Sequence, residues 1–190
     1  MIKIIGGGEV SKYFPLLSNI YKHYDIKPKS YLEIGVCEGY SIACMIEEFP
    51  ELEKVILSDT WLSEYGGSGK GSHNHIVELL EEFGFDLNKV TFLDGDSKDT
   101  IPKYFEANDE VFDLLYIDGD HSYLGCTADI VNCINHCNIC AIHDVRHPTY
   151  PFIKELCYSF YDTIKDDFFM IDNGEYIIYF VRKNIIQKDL

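Results

Sequence analysis

Five strand-like runs in this chain, 30–34, 54–57, 90–93, 112–117 and 139–142, each finish on a carboxylate. The acids at or just past their ends are Glu33, Asp59, Asp94 with Asp96, Asp118 with Asp120, and Asp144. In an open α/β sheet the carboxyl ends of parallel strands line one crevice, and ligands bind there. A ligand met by so many acids is rich in hydroxyls and amines, carries positive charge, or brings a metal ion. A pyrophosphate would be repelled.

The turn after the first run reads Tyr31-Leu32-Glu33-Ile34-Gly35-Val36-Cys37-Glu38-Gly39-Tyr40-Ser41. Gly35 lets the chain turn tightly, and Gly39 lets a ligand approach the start of the next helix. A dinucleotide fingerprint would space its glycines G-x-G-x-x-G to seat a pyrophosphate. Here the spacing is E-x-G-x-x-x-G, with carboxylates at Glu33 and Glu38, which suits an ammonium group and no phosphate. Asp59, well beyond Gly35, stands where an acid accepts both ribose hydroxyls. Gly95-Asp96-Ser97 is placed to take an adenine amine. An amino acid joined to a nucleoside describes S-adenosylmethionine.

The elements that must position these residues alternate along the chain. The spacing of apolar residues predicts an opening helix over 10–23, with Tyr13, Leu16, Leu17, Ile20 and Tyr21 on one face. Further helices are expected over 40–48, 75–83, 99–105, 123–136 and 152–160. A glycine-rich loop, 60–72, follows the second strand. Before the fifth strand, Asn138 in Cys137-Asn138 tolerates a left-handed turn. The runs 168–171 and 175–181 are joined through Asn173-Gly174, a hairpin signal. These signals predict an α/β, Rossmann-like, doubly wound fold. Its sheet is seven-stranded and mostly parallel, with a C-terminal antiparallel hairpin. The 190 residues suit one domain, 1–190, with segment 1–29 contributing to the acceptor side.

Composition narrows the partners. A net charge of −16 argues against nucleic acid and anionic membranes, because phosphate contacts need Lys and Arg. Mean hydropathy of −0.09 and the absence of a long apolar run describe a soluble protein, expected in the cytoplasm with free thiols. The seven cysteines include Cys133, Cys137 and Cys140, whose C-x3-C-x2-C spacing is that of a radical iron–sulfur motif. They straddle a helix end and a strand start, with too little chain downstream for a barrel. Cys126, Cys133 and Cys137 fall at helix spacing with Ile130 and Ile134, as buried core thiols would.

With these motifs in order, the chain resembles the class I S-adenosylmethionine-dependent methyltransferases, and within them the small O-methyltransferases. Glu33-Ile34-Gly35 with Gly39-Tyr40-Ser41 is similar to the caffeoyl-CoA and catechol type. Asp59-Thr60-Trp61, Gly95-Asp96-Ser97, Asp118-Gly119-Asp120-His121-Ser122-Tyr123 and His143-Asp144-Val145 look more like the macrocin type, which methylates sugars. The resemblance spans roughly 31–145 and the terminal hairpin. It implies Glu33, Gly35 and Ser41 at the methionine end, Asp59 at ribose and Asp96 at adenine. Gly39, Trp61 and Ser97 belong to the same cofactor site. Ser41 either meets the cofactor or caps the following helix, and Trp61 either lines the pocket or packs on the sheet.

The resemblance also implies that Asp118 and Asp144 bind a divalent cation, with Mg²⁺ the candidate, and that His121 is the catalytic base. Hard carboxylate oxygens agree with such an ion. The catechol type has Asn after the second acid, where this chain has Val145, so either a third ligand comes from Asp120, His143 or the 60–75 loop, or the metal is absent. His121 could instead cap the helix after it, and His73 and His75 could reach substrate or simply start a helix. The expected activity is O-methylation of a small hydroxylated molecule such as a sugar. A non-catalytic module binding S-adenosylmethionine or a nucleotide, and a nicotinamide-dependent oxidoreductase, are the alternatives; Glu38 speaks against the latter. The acceptor is a small molecule, and a homodimer is compatible with a sequence that does not fix the oligomeric state.

Overall fold

The computed structural model describes residues 21–22, 26–62, 71–172 and 174–186. Its strands are β1 (Ser30–Ile34), β2 (Lys54–Asp59), β3 (Val90–Asp94), β4 (Phe112–Ile117), β5 (Cys137–Ile142), β6 (Phe168–Asp172) and β7 (Ile178–Arg182). The helices between them are α1 (Tyr40–Glu48), α2 (His73–Glu82), α3 (Ser97–Ala107), α4 (Tyr123–Cys133) and α5 (Phe152–Ile164), with a short α6 (Lys183–Ile186) at the end. They form one seven-stranded sheet in the order β3-β2-β1-β4-β5-β7-β6, parallel except where β7 runs against β5 and β6. This is the doubly wound architecture that the alternation predicts.

The central strands read as nearly unbroken apolar runs because helices cover both faces. On one face, Ile42, Met45 and Ile46 of α1 and Ile76 and Leu80 of α2 pack on Tyr31, Val55, Leu57 and Leu114. On the other, Ile101 of α3, Cys126, Ile130 and Cys133 of α4, and Ile153, Leu156 and Cys157 of α5 pack on Leu32, Ile56, Leu115 and Phe180. Cys137 and Cys140 of β5 are buried in the same layer, so the cysteine triplet is core. The chain leaves β1 in opposite directions, to β2 and to β4, and the strand order reverses between β1 and β4. That switch point opens a crevice at the carboxyl ends of the strands.

Two expectations differ from what is observed. Asn138 is not left-handed: a 3₁₀ turn, Ile134–His136, reverses the chain, and β5 starts at Cys137, paired with Phe112. The β6–β7 connection is wider than a tight Asn-Gly hairpin. Asp172 pairs with Ile178, leaving five residues, 173–177, between them. A polar knot holds the wide loop. The Asp172 carboxylate accepts from Gly174 N and, at both oxygens, from Nη2 of Arg146, whose Nη1 donates to the Glu175 carbonyl. Asn173 lies outside the described residues, as does most of the predicted opening helix.

What is described of that helix, Tyr21 and Lys22, docks at the amino ends of the strands. Tyr21 is buried, its ring edge-on to Phe49 and its hydroxyl donating to the Asp113 carbonyl at the start of β4. This end is opposite the crevice. Residues 1–20, which carry the rest of the acceptor-side expectation, lie outside the described residues. Among the described residues no helix is long and apolar enough to cross a membrane.

Gly35 decides whether the two halves of the sheet can close. Its φ is +85°, and a Cβ there would stand 2.2 Å from the Asp118 carbonyl oxygen. Gly35→Ala should therefore cost about 3 kcal/mol or more of unfolding free energy, from left-handed strain plus a clash with backbone. Urea denaturation of the two proteins checks this; equal midpoints would contradict the packing described.

Candidate active site

The first turn is pinned by a carboxylate from the neighbouring strand. Asp59, ending β2, accepts from Val36 N at 2.7 Å and Cys37 N at 2.9 Å through Oδ2, and from Trp61 N at 2.7 Å through Oδ1. Its carboxylate lines the crevice while fixing the backbone around it. Oδ2 is filled by its two N–H donors, but Oδ1 keeps a second acceptor direction, so Asp59 can hold the turn and still meet a hydroxyl.

Glu33, Ser41 and Gly39 behave differently from the expectation. Glu33 is fully buried, with Tyr31 Oη donating to it at 2.9 Å and the Ser41 hydroxyl donating to its other oxygen. Ser41 therefore does not cap α1; the N-cap position is Gly39, which makes no side-chain cap. Neither Glu33 nor Ser41 lines the crevice; they form a polar layer beneath the turn. The space beside Gly39 is taken by α2, because a Cβ there would stand 2.7 Å from both Ile76 Cδ1 and Leu79 Cδ2. Close approach at Gly39 is helix packing.

On the β3 side, Asp96 caps α3 by accepting from Lys98 N at 2.9 Å, and Lys98 Nζ stands between Asp96 and Asp120. Ser97 donates at 2.6 Å to Asp129 of α4. Trp61 both packs and lines the pocket: its Nε1 donates to Asp94 at 2.8 Å and its ring tilts against Phe92. His73 starts α2, stacked on Phe92 at 3.9 Å and facing Asp94, while exposed His75 gives its backbone N–H to the Ser72 cap. Both are helix-start residues on the β3 side.

The β4 and β5 ends gather two histidines and two aspartates. His121 Nε2 is 2.9 Å from Asp144 Oδ2 and 3.4 Å from Asp118 Oδ1. His143 Nδ1 is 3.2 Å from Asp118 Oδ1 and 3.1 Å from Asp144 Oδ1. His121 is not the helix cap; Ser122 is, accepting from Gly125 N. Tyr150 stacks on the His121 ring at 4.8 Å and fixes its plane. Burial pulls the His143 imidazole down, but Asp118 and Asp144 together outweigh it and hold its pKa up at about 10. Burial also opposes charge on Asp144, yet the hydrogen-bonding imidazoles hold its carboxyl well below the usual range.

A divalent cation fits this donor set. Ligand atoms of Asp118, His143 and Asp144 all lie within 4.8 Å of one another. His143 is the residue that would serve as third ligand, while Asp120 is turned to Ser122 N and Lys98. Two carboxylates and an imidazole suit Mn²⁺, Fe²⁺ or Zn²⁺ better than the all-oxygen shell that Mg²⁺ prefers. Binding would displace the His143 proton.

The cavity runs from Asp59, Trp61 and Leu62 past Asp96 and Ser97 to Asp118, His121, His143 and Asp144. Among its described lining residues are five aspartates and no Lys or Arg. Cys37, Trp61 and Asp144 line it with φ of 51°, 58° and 58°, a left-handed conformation uncommon without glycine. Such strain concentrates at ligand sites. Of these, Cys37 carried no signal in the sequence, and Tyr150 could be placed only by the fold.

Glu33 makes this layer testable. Burial chiefly raises its pKa to about 8, against the opposing hydrogen bonds from Ser41 and Tyr31. An unfolded chain ionises the same group near 4.5, so the contribution of Glu33 to stability must fall as pH rises from 4.5 to about 8, then level off. In urea denaturation, wild type should lose ground to Glu33→Gln across that window, by up to about 1.4 kcal/mol per pH unit. A constant difference would mean that Glu33 is ionised in the folded protein.

Known proteins share this fold. A family model described as a methyltransferase domain matches residues 32–144. No curated protein matches the chain in sequence. Among solved structures, the O-methyltransferase NovP aligns with a TM-score of 0.65 at 16% identity, covering 91% of this chain and 77% of its own. CalS11, a TDP-rhamnose 3′-O-methyltransferase of calicheamicin biosynthesis, aligns with a TM-score of 0.64 at 18% identity, covering 95% and 88%. At such identity these likenesses speak for the fold, and the family model carries the assignment. It spans more than half the chain, from β1 to the acid after β5, and so this chain belongs to the methyltransferase domain family.

Proposed function

We propose that this methyltransferase takes its methyl group from S-adenosylmethionine and delivers it to a hydroxyl oxygen of a small molecule such as a sugar. The observation that carries the reading is the grouping of Asp118, His121, His143 and Asp144 at the strand ends, on the same cavity as Asp59 and Asp96. Asp59 faces the ribose hydroxyls and Asp96 the adenine amine. The cation's chemistry would be that of a Lewis acid, lowering the pKa of an acceptor hydroxyl. Asp118, His143 and Asp144 are the residues that would hold it.

His121 takes the acceptor proton, positioned by Tyr150 on one face and the Asp144 carboxylate at Nε2. The acceptor oxygen then bonds to the methyl carbon as the carbon–sulfur bond of the sulfonium breaks, leaving neutral S-adenosylhomocysteine. Much of the rate comes from aligning oxygen, carbon and sulfur. The aspartate-rich lining favours neutral or cationic acceptors over polyanions and supports a small-molecule substrate rather than nucleic acid. CalS11 acts, by its description, on a nucleotide-linked sugar. A sugar acceptor here is the nearest chemistry.

Methyl transfer from labelled S-adenosylmethionine to a panel of sugars and polyols tests this reading. His121→Ala should lower kcat about 10²–10⁴-fold, with little change in S-adenosylhomocysteine affinity. Unchanged kcat would place the base elsewhere. Asp118→Asn and Asp144→Asn should each abolish transfer and leave that affinity nearly intact. Chelation should mimic them, with Mn²⁺ restoring activity. Activity that survives both chelation and these substitutions would rule out a cation at Asp118 and Asp144.

A further inference from the structure

Helix α4 turns an apolar stripe toward the sheet, through Cys126, Ile130 and Cys133, yet Asp129 stands among them only 1% exposed. Its Oδ1 accepts from Ser97 Oγ at 2.6 Å. Its Oδ2 has no hydrogen-bond partner among the described residues and lies against Gly119, 3.3 Å from where a Cβ would stand. A carboxylate held this way weakens the fold compared with an apolar side chain of similar size. Packing gives no reason for it. Its partner does, because Ser97 is the first residue of α3 and lines the cavity beside Asp96.

We propose that Asp129 is a positioning residue that keeps the Ser97 hydroxyl proton on the helix side, so that Ser97 offers the cavity a lone pair and the site selects a base carrying an exocyclic amine. This rests on the S-adenosylmethionine reading and deepens it at the adenine end. A hydroxyl has one proton and two acceptor directions. Once its proton is given to Asp129, Ser97 can only accept from the cavity. Asp96 is likewise an acceptor, its Oδ1 already bound to Lys98 N. Two acceptors side by side welcome an amine and set lone pairs against a ring carbonyl. Adenine is taken; a 6-oxo purine is refused.

The pair also has a built-in dependence on pH. Burial foremost, helped by Asp120 and Asp96 and opposed by the Ser97 hydrogen bond and Lys98, raises the Asp129 pKa to about 7. These groups face it from α3 and the β4–α4 loop, while Cys126 and Cys133 flank it on its own helix. When Asp129 gains a proton it can donate to Ser97, and the Ser97 hydroxyl is freed to turn toward the cavity.

Calorimetry with S-adenosylhomocysteine and its deaminated analogue S-inosylhomocysteine tests the proposal at pH 8 and pH 6. Wild type should prefer the adenosyl ligand at pH 8. Asp129→Asn, whose amide can donate to Ser97, should shrink that preference by about tenfold, chiefly through weaker adenosyl binding. Ser97→Ala should shrink it similarly, and the double variant should add nothing further. In wild type the preference should narrow at pH 6, and Ser97→Ala should abolish the narrowing; these two results stand even if Asp129→Asn does not fold. If both variants change the two affinities equally, or wild type keeps one preference at both pH values, Asp129 only packs α4 and the proposal is overturned. Failure of wild type to bind S-adenosylhomocysteine would instead overturn the cofactor reading, and this inference with it.

Discussion

Backbone meets backbone where the turn after β1 lies on the turn after β4, and the site depends on that contact. Asp118 N donates to the Ile34 carbonyl at 2.8 Å, and Gly35 N to the Ser58 carbonyl at 2.9 Å. Only a residue without a side chain fits at Gly35, because the Asp118 carbonyl occupies the place of its Cβ. The contact brings Asp59 on one side and Asp118 on the other to a single cavity. In the function proposed, one half of the site recognises the cofactor and the other carries the chemistry.

So many carboxylates in one crevice would repel each other apart unless each were held. Asp59 accepts three backbone N–H groups, Asp96 caps a helix, and Asp120 meets Lys98 and Ser122 N. Asp118 and Asp144 share His121 and His143. Glu33 and Asp129, which have only hydroxyls for partners and are buried, are pushed toward the neutral form instead. Burial thus raises the pKa of Glu33 and Asp129 in the layers beneath the cavity, while Asp120 and Asp144 on its wall are held low.

The fold was legible in the sequence because it follows from local patterns. Apolar runs buried on both faces, helices between them and acids at the strand ends require no knowledge of distant contacts. The positions of Asp118, His121 and Asp144 were legible for the same reason, since strand ends dictate them, whereas the roles proposed for them come from the resemblance. What was not legible depends on which neighbour arrives. Gly39 looks alike in sequence whether a ligand or Ile76 and Leu79 approach it. Ser41 finds Glu33 across the turn instead of capping its own helix. Asp129 reads as an ordinary polar helix residue until α3 places Ser97 against it. The loop after β6 widens because Arg146, far away in sequence, ties Asp172.

The central claim is that the crevice between β1 and β4 receives an adenosyl amino acid and no pyrophosphate. Parallel calorimetric titrations of the protein with S-adenosylhomocysteine and with NAD test it most directly. A micromolar dissociation constant for S-adenosylhomocysteine and no heat with NAD is the result expected from the acids at Asp59 and Asp96. Tight NAD binding, with no response to S-adenosylhomocysteine, would contradict it.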